Sequence, residues 1–300
     1  MIDQKAPAEP ATPRDLSLVG AAEALAQVQA GTKIRFLDAS FFLPNMGREA
    51  GAEFDSAHIQ GAIYFDLERH SDPASGLPHS LPAREILAGQ MAEIGLDEDD
   101  WIICYDNSPF LSAARAWWML RYLGHARTSI LDGGLRSWTL HNGPTEAGPS
   151  IPRRGTFTLR PSLCGTASID EIAHWINHPN ERQILDARPH ARFTGESPEP
   201  RPGMRSGHMP NALNVPVTEL LDPDALTLRP LPEIEAVFRR AGVQLEQPVT
   251  TTCGSGVTAC GLAFGLHLLG QNDVKLYDGS WAEWAPEARD PDHYPVVTGK

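Results

Sequence analysis

PVTTTCGSGVTACGLAFGLHLL, residues 248–269, reads in one pass as a strand, a loop and a helix. PVTTT is short and rich in β-branched residues, which suits a buried strand. Residues 258–269 are apolar almost all round, which suits a buried helix. Between them, Gly254 and Gly256 free the backbone to bend more tightly than a simple turn needs. Cys253 therefore stands on a flexed loop at a helix start. Converging amide N–H groups and the helix dipole favour an anion in such a place. A thiol there is either a small buried hydrophobe or a nucleophile, and the paired glycines favour the nucleophile. A strand, tight loop and helix in succession form one unit of an α/β layer.

The chain repeats itself around this unit. FLDAS at 36–40 recurs as ILDAR at 184–188, and HIQGA at 58–62 as HMPNA at 208–212. LRYLGH at 120–125 recurs as LHLLGQ at 266–271, and LDGGLRSW at 131–138 as YDGSWAEW at 277–284. The offsets are 148, 150, 146 and 146, so order is kept with small insertions only. Collinear matches of this kind imply two similar α/β domains, expected over 16–145 and 166–298. The stretch 143–166 is rich in Gly, Pro and Ser/Thr, so a linker is expected at 146–165. Each domain is expected to hold a small, mostly parallel sheet flanked by helices. Strands are expected at KIRFLDA, AIYF, WIICY and TSIL, then at QILDA, ALNV, PVTTT and DVKLY. Helices are expected near 82–94, 112–123, 134–141, 168–177, 231–241 and 258–269. Ser168 with Glu171 predicts a capping box at the fourth of these.

Open α/β sheets bind ligands at the carboxyl ends of their strands, where PVTTT delivers Cys253. The 146 offset places Asn107 at the equivalent point of the first domain, in NSPFLSA at 107–113. An amide forms no thiolate, so the first domain is expected to be catalytically degenerate. It is left to supply groups to a site at the domain interface.

Composition narrows the function. A net charge of −13 argues against nucleic acid, which needs a basic surface. An anionic small molecule would have to be drawn in by a local arginine cluster. No apolar run approaches the roughly 18 residues of a membrane span. The amino-terminal MIDQKAPAEPATPRDLSL lacks a basic region followed by an apolar one, so it reads as a flexible tail and the chain is expected in the cytoplasm. Cys104, Cys164, Cys253 and Cys260 show neither a CxxC pair nor zinc-ligand spacing, so reduced thiols are expected. Cys104 and Cys260 read as core, Cys164 has no assigned role, and Trp117 and Trp118 read as packing.

Two such domains with the cysteine only in the second resemble the rhodanese family of sulfurtransferases, over roughly residues 16–295. The loop CGSGVTA at 253–259 is similar to that of the 3-mercaptopyruvate sulfurtransferases; thiosulfate-specific rhodaneses carry basic residues where Gly254 and Ser255 stand here. The segments RFTGESPEPRPGMRSGHMPNA at 192–212 and FDLERHSDPASGLPH at 65–79 are also similar to the family. The resemblance implies that Arg192 and Arg201 bind the substrate carboxylate. It implies that Ser255 pairs with His79 and with an acid at Glu68, where the family more often has Asp. The loop 254–258 (Gly254, Ser255, Gly256, Val257, Thr258) would cradle the transferred sulfur with its N–H groups.

The activity implied by the resemblance is sulfur transfer from 3-mercaptopyruvate through a Cys253 persulfide to a second thiol, thioredoxin-like or small, or to cyanide. No metal or organic cofactor is implied, and ping-pong kinetics are expected. Three alternatives are weighed. A thiosulfate:cyanide sulfurtransferase would prefer the other donor. A non-catalytic sulfur-sensing module would keep an ordinary thiol. A phosphatase of the related type needs an arginine six residues past the cysteine, where this chain has Ala259.

Overall fold

The computed structural model describes residues 16–150 and 153–299. The expected amino-terminal tail lies, up to residue 15, outside the described residues. The strands in chain order are β1 (Leu18–Val19), β2 (Ile34–Asp38), β3 (His58–Ile59), β4 (Ile63–Tyr64), β5 (Trp101–Tyr105), β6 (Thr128–Leu131) and β7 (Thr145–Glu146) in the first half. The second half adds β8 (Gly165–Ala167), β9 (Gln183–Asp186), β10 (Leu213–Asn214), β11 (Val249–Thr252) and β12 (Val274–Tyr277). The helices are α1 (Ala21–Gln29), α2 (Ala50–Ser56), α3 (Arg84–Glu93), α4 (Ala113–Tyr122) and α5 (Gly134–Leu140), then α6 (Ile169–Trp175), α7 (His190–Phe193), α8 (Leu231–Arg240), α9 (Ala259–Leu268) and α10 (Ser280–Trp284).

Each half builds a five-stranded parallel sheet, and the two follow the same path. The first runs β1-β6-β5-β2-β4 and the second β8-β12-β11-β9-β10. β3 and β7 form a separate antiparallel pair. All eight expected strands are present, each within a residue or two of its expected span. The edge strands β1 and β8 add a fifth to each sheet; at two and three residues they are too short to show a pattern. The expected capping box at α6 is formed, with Glu171 N–H donating to Ser168 Oγ at 3.2 Å and Ser168 N–H to Glu171 Oε2 at 2.9 Å.

The central helices α4 and α9 face each other across the domain boundary, with Trp117 edge-on to Phe264 at 4.9 Å. Both are buried over nearly their whole length, as their apolar sequences require. One apolar core therefore runs from Leu37 and Ile102 in the first sheet to Leu185 and Leu276 in the second. That shared core holds the carboxyl edge of the second sheet against loops of the first domain. The connecting segment is fastened to the first domain: Gly155 N–H donates to Ala92 O at 2.8 Å and Arg160 N–H to Leu123 O at 3.0 Å. Among the described residues no helix is long and apolar enough to cross a membrane.

Candidate active site

β11 lies between β9 and β12 with all four residues buried, so its end is rigidly placed. Cys253 follows it directly and is 2% exposed. Its N–H donates to Ser280 Oγ at 3.2 Å and its carbonyl accepts from Trp281 N–H at 2.9 Å. Among the described residues, the N–H groups of Gly254, Ser255, Gly256, Val257 and Thr258 donate to no protein acceptor. Thr258 then opens α9 without a side-chain cap. Beside the thiol the loop thus offers unsatisfied donors and a helix N-terminus, both of which favour negative charge. The two glycines serve different ends. Gly256 sits at φ +78°, and a Cβ there would lie 3.0 Å from Asp278 O. Gly254 lies outside the left-handed region; its missing side chain leaves room for Arg192 Nη2 and Arg201 Nη1, which a Cβ would meet at 3.3 and 3.8 Å.

A relay reaches Ser255 from the first domain. His79 Nδ1 is 2.8 Å from Ser255 Oγ, and its Nε2 is 2.9 Å from Glu68 Oε1. The carboxylate can only accept from Nε2–H, which leaves the Nδ1 lone pair to accept the Ser255 hydroxyl proton. Glu68 spans the distance despite being one methylene longer than Asp. The His79 ring is also held edge-on by Phe41, 5.0 Å away. Burial is the largest influence on His79 and lowers its pKa, against the raising effect of Glu68; Arg115 and Arg201 lower it further. The ring is therefore held in the neutral form that a proton acceptor needs.

The two expected arginines converge on the loop from 188–201. Glu199, buried, accepts from Arg192 Nε at 3.2 Å and from Arg188 Nη1 at 2.8 Å. Arg188 also pairs with buried Asp186 at 2.6 Å. Arg201 is half-buried and, among the described residues, has no hydrogen bond or ion pair. Burial lowers its pKa, opposed by the charge of Cys253. Of the three guanidiniums, Arg188 and Arg192 are paired with carboxylates, which leaves Arg201 as the one without a bonded partner among the described residues. An unpaired guanidinium fork beside a thiol is suited to a small carboxylate.

Rhodanese-like domains match residues 21–141 and 168–287. The chain belongs to the rhodanese family. It is 41% identical over 282 residues to the 3-mercaptopyruvate sulfurtransferase of Homo sapiens, covering 93% of this chain and 94% of that protein. The crystal structure of SseA, a 3-mercaptopyruvate sulfotransferase from Escherichia coli, superposes with a TM-score of 0.79 at 39% identity, covering 89% of this chain and 99% of that one. The thiosulfate sulfurtransferase of Rattus norvegicus is 36% identical over 278 residues, 89% of this chain and 92% of that protein.

In the first rhodanese domain Tyr105 pairs with Asp38 as Thr252 pairs with Asp186, so the residue matching Cys253 is Asp106 and not the expected Asn107, which lies one place further on. Asn107 lines a cavity of about 250 Å³ with Arg48, Gly134 and Arg136, so a crevice persists there without a thiol. The remaining cysteines pack: Cys104 and Cys260 are fully buried, and burial pushes Cys164 and Cys260 each up to about 12. Trp117 and Trp118 are core residues. Two residues of the site are not foreseen from the sequence. Arg115, 1% exposed on α4, forms an ion pair of 2.8 Å with Asp278, directly behind the Cys253 loop. A lone arginine in the apolar run AARAWWML was the available signal, because a charge is buried only with a partner.

Proposed function

We propose that the chain is a 3-mercaptopyruvate sulfurtransferase that works through a persulfide on Cys253. The observation that carries this reading is the Ser255–His79–Glu68 relay ending two residues from the thiol. The Cys253 thiolate attacks the donor sulfur, forming an S–S bond while the sulfur–carbon bond breaks. The bonding pair leaves on the pyruvate enolate. The donor's thiol proton must then move from sulfur to that carbon, and Ser255 with His79 carries it. Atoms and charge balance: thiolate and mercaptopyruvate become persulfide anion and pyruvate. A positioned acid–base pair of this kind is worth about 10²- to 10⁴-fold. Arg192 and Arg201 grip the donor carboxylate, and the amides of 254–258 cradle the outer sulfur of the persulfide.

In this reading the division of labour falls between a first domain over 16–145, which has no thiol at Asp106–Asn107, and a catalytic domain over 166–298, with 146–165 connecting them. A thiol, from a thioredoxin-like protein or a small molecule, or cyanide, takes the sulfur in a second half-reaction. All four cysteines are unpaired, which supports a reducing compartment such as the cytoplasm. Kinship with a thiosulfate sulfurtransferase favours one rival donor. Thiosulfate, however, releases sulfite without any proton transfer, so it would make no use of the Ser255–His79 relay. Assaying both donors side by side, measuring pyruvate and sulfite, tests the choice. A higher kcat/KM with mercaptopyruvate is expected; a preference for thiosulfate overturns the reading.

A further inference from the structure

His79 adopts φ +58°, a left-handed conformation that side-chain-bearing residues avoid and that persists only where the surroundings impose it. Leu226, at the matching point of the second domain, has the same φ without an arginine, so the repeated loop sets the conformation and the buried pair between domains fastens it here. Arg115 Nη2 donates to the His79 carbonyl at 2.6 Å and pairs with Asp278 Oδ1 at 2.8 Å. Asp278 Oδ2 accepts from Leu81 N–H at 2.8 Å, two residues further along the same loop. The other side of the pair is flush against the Cys253 loop: a Cβ on Gly256 would lie 3.1 Å from Asp278 Oδ1 and 3.2 Å from Arg115 Nη1. Arg115 Nη1 also lies 3.9 Å from Cys260 Sγ, whose thiol donates to Gly256 O at 3.2 Å. One ion pair therefore touches both the loop that carries the relay histidine and the loop that carries its serine.

We propose that Arg115 and Asp278 are positioning residues that hold His79 in reach of Ser255, and that they set which sulfur donors the enzyme can use. This rests on the mercaptopyruvate reading above. A donor whose leaving group must be protonated at carbon depends on the relay and so on the clamp. A donor that leaves as sulfite, carrying away the bonding pair and taking no proton, does not. Discharge of the persulfide to cyanide is likewise free of proton transfer: cyanide bonds to the outer sulfur and Cys253 leaves as thiolate. Neither clamp residue touches the donor. Their effect is confined to geometry, where small displacements of an acid–base group are costly.

Asp278→Asn tests this, because it keeps the size and an acceptor for Leu81 N–H while removing the charge that fixes Arg115. Single-turnover sulfur loading of Cys253 is measured by mass spectrometry with mercaptopyruvate and with thiosulfate, and discharge of the loaded protein is measured with cyanide. Loading from mercaptopyruvate is expected to fall about tenfold to a hundredfold, with KM for that donor, thiosulfate loading and cyanide discharge near wild type. If all three rates fall together, the pair is merely structural and the proposal is wrong. It is equally wrong if none falls. Should Asp278→Asn not fold, Arg115→Lys reads the same ratio, since one ammonium cannot reach both His79 O and Asp278 as the fork does. Wild-type protein that takes no sulfur from mercaptopyruvate overturns the donor reading and the clamp with it; normal wild-type turnover with an unchanged donor ratio in the variant overturns the clamp alone.

Discussion

Arg201→Gln isolates the carboxylate grip, because Arg201 has no partner of its own to leave behind. Arg192 is tied to Glu199, so its loss would also disturb Arg188 and the buried carboxylate. Arg201 is half-buried without an ion-pair partner among the described residues, and burial is the largest influence on its charge, so its removal relieves a partly desolvated cation. Folding stability should therefore stay at wild type or rise slightly. The lost interaction with the donor is a hydrogen bond between charged groups, worth about 1.5–3 kcal/mol. That corresponds to roughly 10- to 150-fold in kcat/KM at about 1.4 kcal/mol per decade. The carboxylate is remote from the breaking bond, so the grip should be equal in ground and transition states. The loss is then expected in KM, with kcat within a few-fold of wild type. Steady-state pyruvate release against mercaptopyruvate concentration, with a urea melt alongside, measures both. A fall in kcat at unchanged KM, or no change in kcat/KM, refutes the carboxylate role. A large drop in stability refutes the claim that Arg201 is unpaired.

The pH dependence of sulfur loading should reflect His79, which must be neutral to accept from Ser255. Because burial lowers its pKa, the acid limb of the loading rate should lie below the ordinary histidine value of about 6.5. Glu68 raises that pKa, so Glu68→Gln should move the limb to still lower pH while slowing the plateau; a limb that moves upward contradicts the relay. The loop glycines should separate in a paired test. Gly256→Ala places a side chain at φ +78° against Asp278 O and should cost about 1–3 kcal/mol in urea unfolding. Gly254→Ala should leave stability near wild type and raise KM by crowding Arg192 and Arg201; equal destabilisation by both contradicts the distinct roles assigned to them.

Repeat and strand patterns made the architecture legible because buried parallel strands such as WIICY and VTTT are continuous apolar or β-branched runs. β1 and β8 were invisible for the opposite reason: their pairing is decided by β6 and β12, not by two or three residues of their own. Helix α1, AAEALAQVQ, was not among the expected helices, although its residues have high helix propensity. The connecting segment carries turn chemistry, which composition shows. Its backbone bonds to Ala92 and Leu123 are tertiary, which composition does not show. The nucleophile loop was readable from glycine spacing alone, whereas Ser255, His79, Glu68, Arg192 and Arg201 came only with family resemblance, since 176 residues separate His79 from Ser255. The lone arginine in AARAWWML signals that Arg115 needs a buried partner, but not that the partner is Asp278, far along the chain in the other domain.

The sulfur itself gives the most direct measurement. Protein incubated with mercaptopyruvate and no acceptor should release one pyruvate per chain and gain one sulfur atom, mapped by peptide mass spectrometry to the segment holding Cys253. Cyanide should then remove it. Pyruvate release without a bound sulfur, or a sulfur found on Cys104, Cys164 or Cys260 instead, would contradict the account.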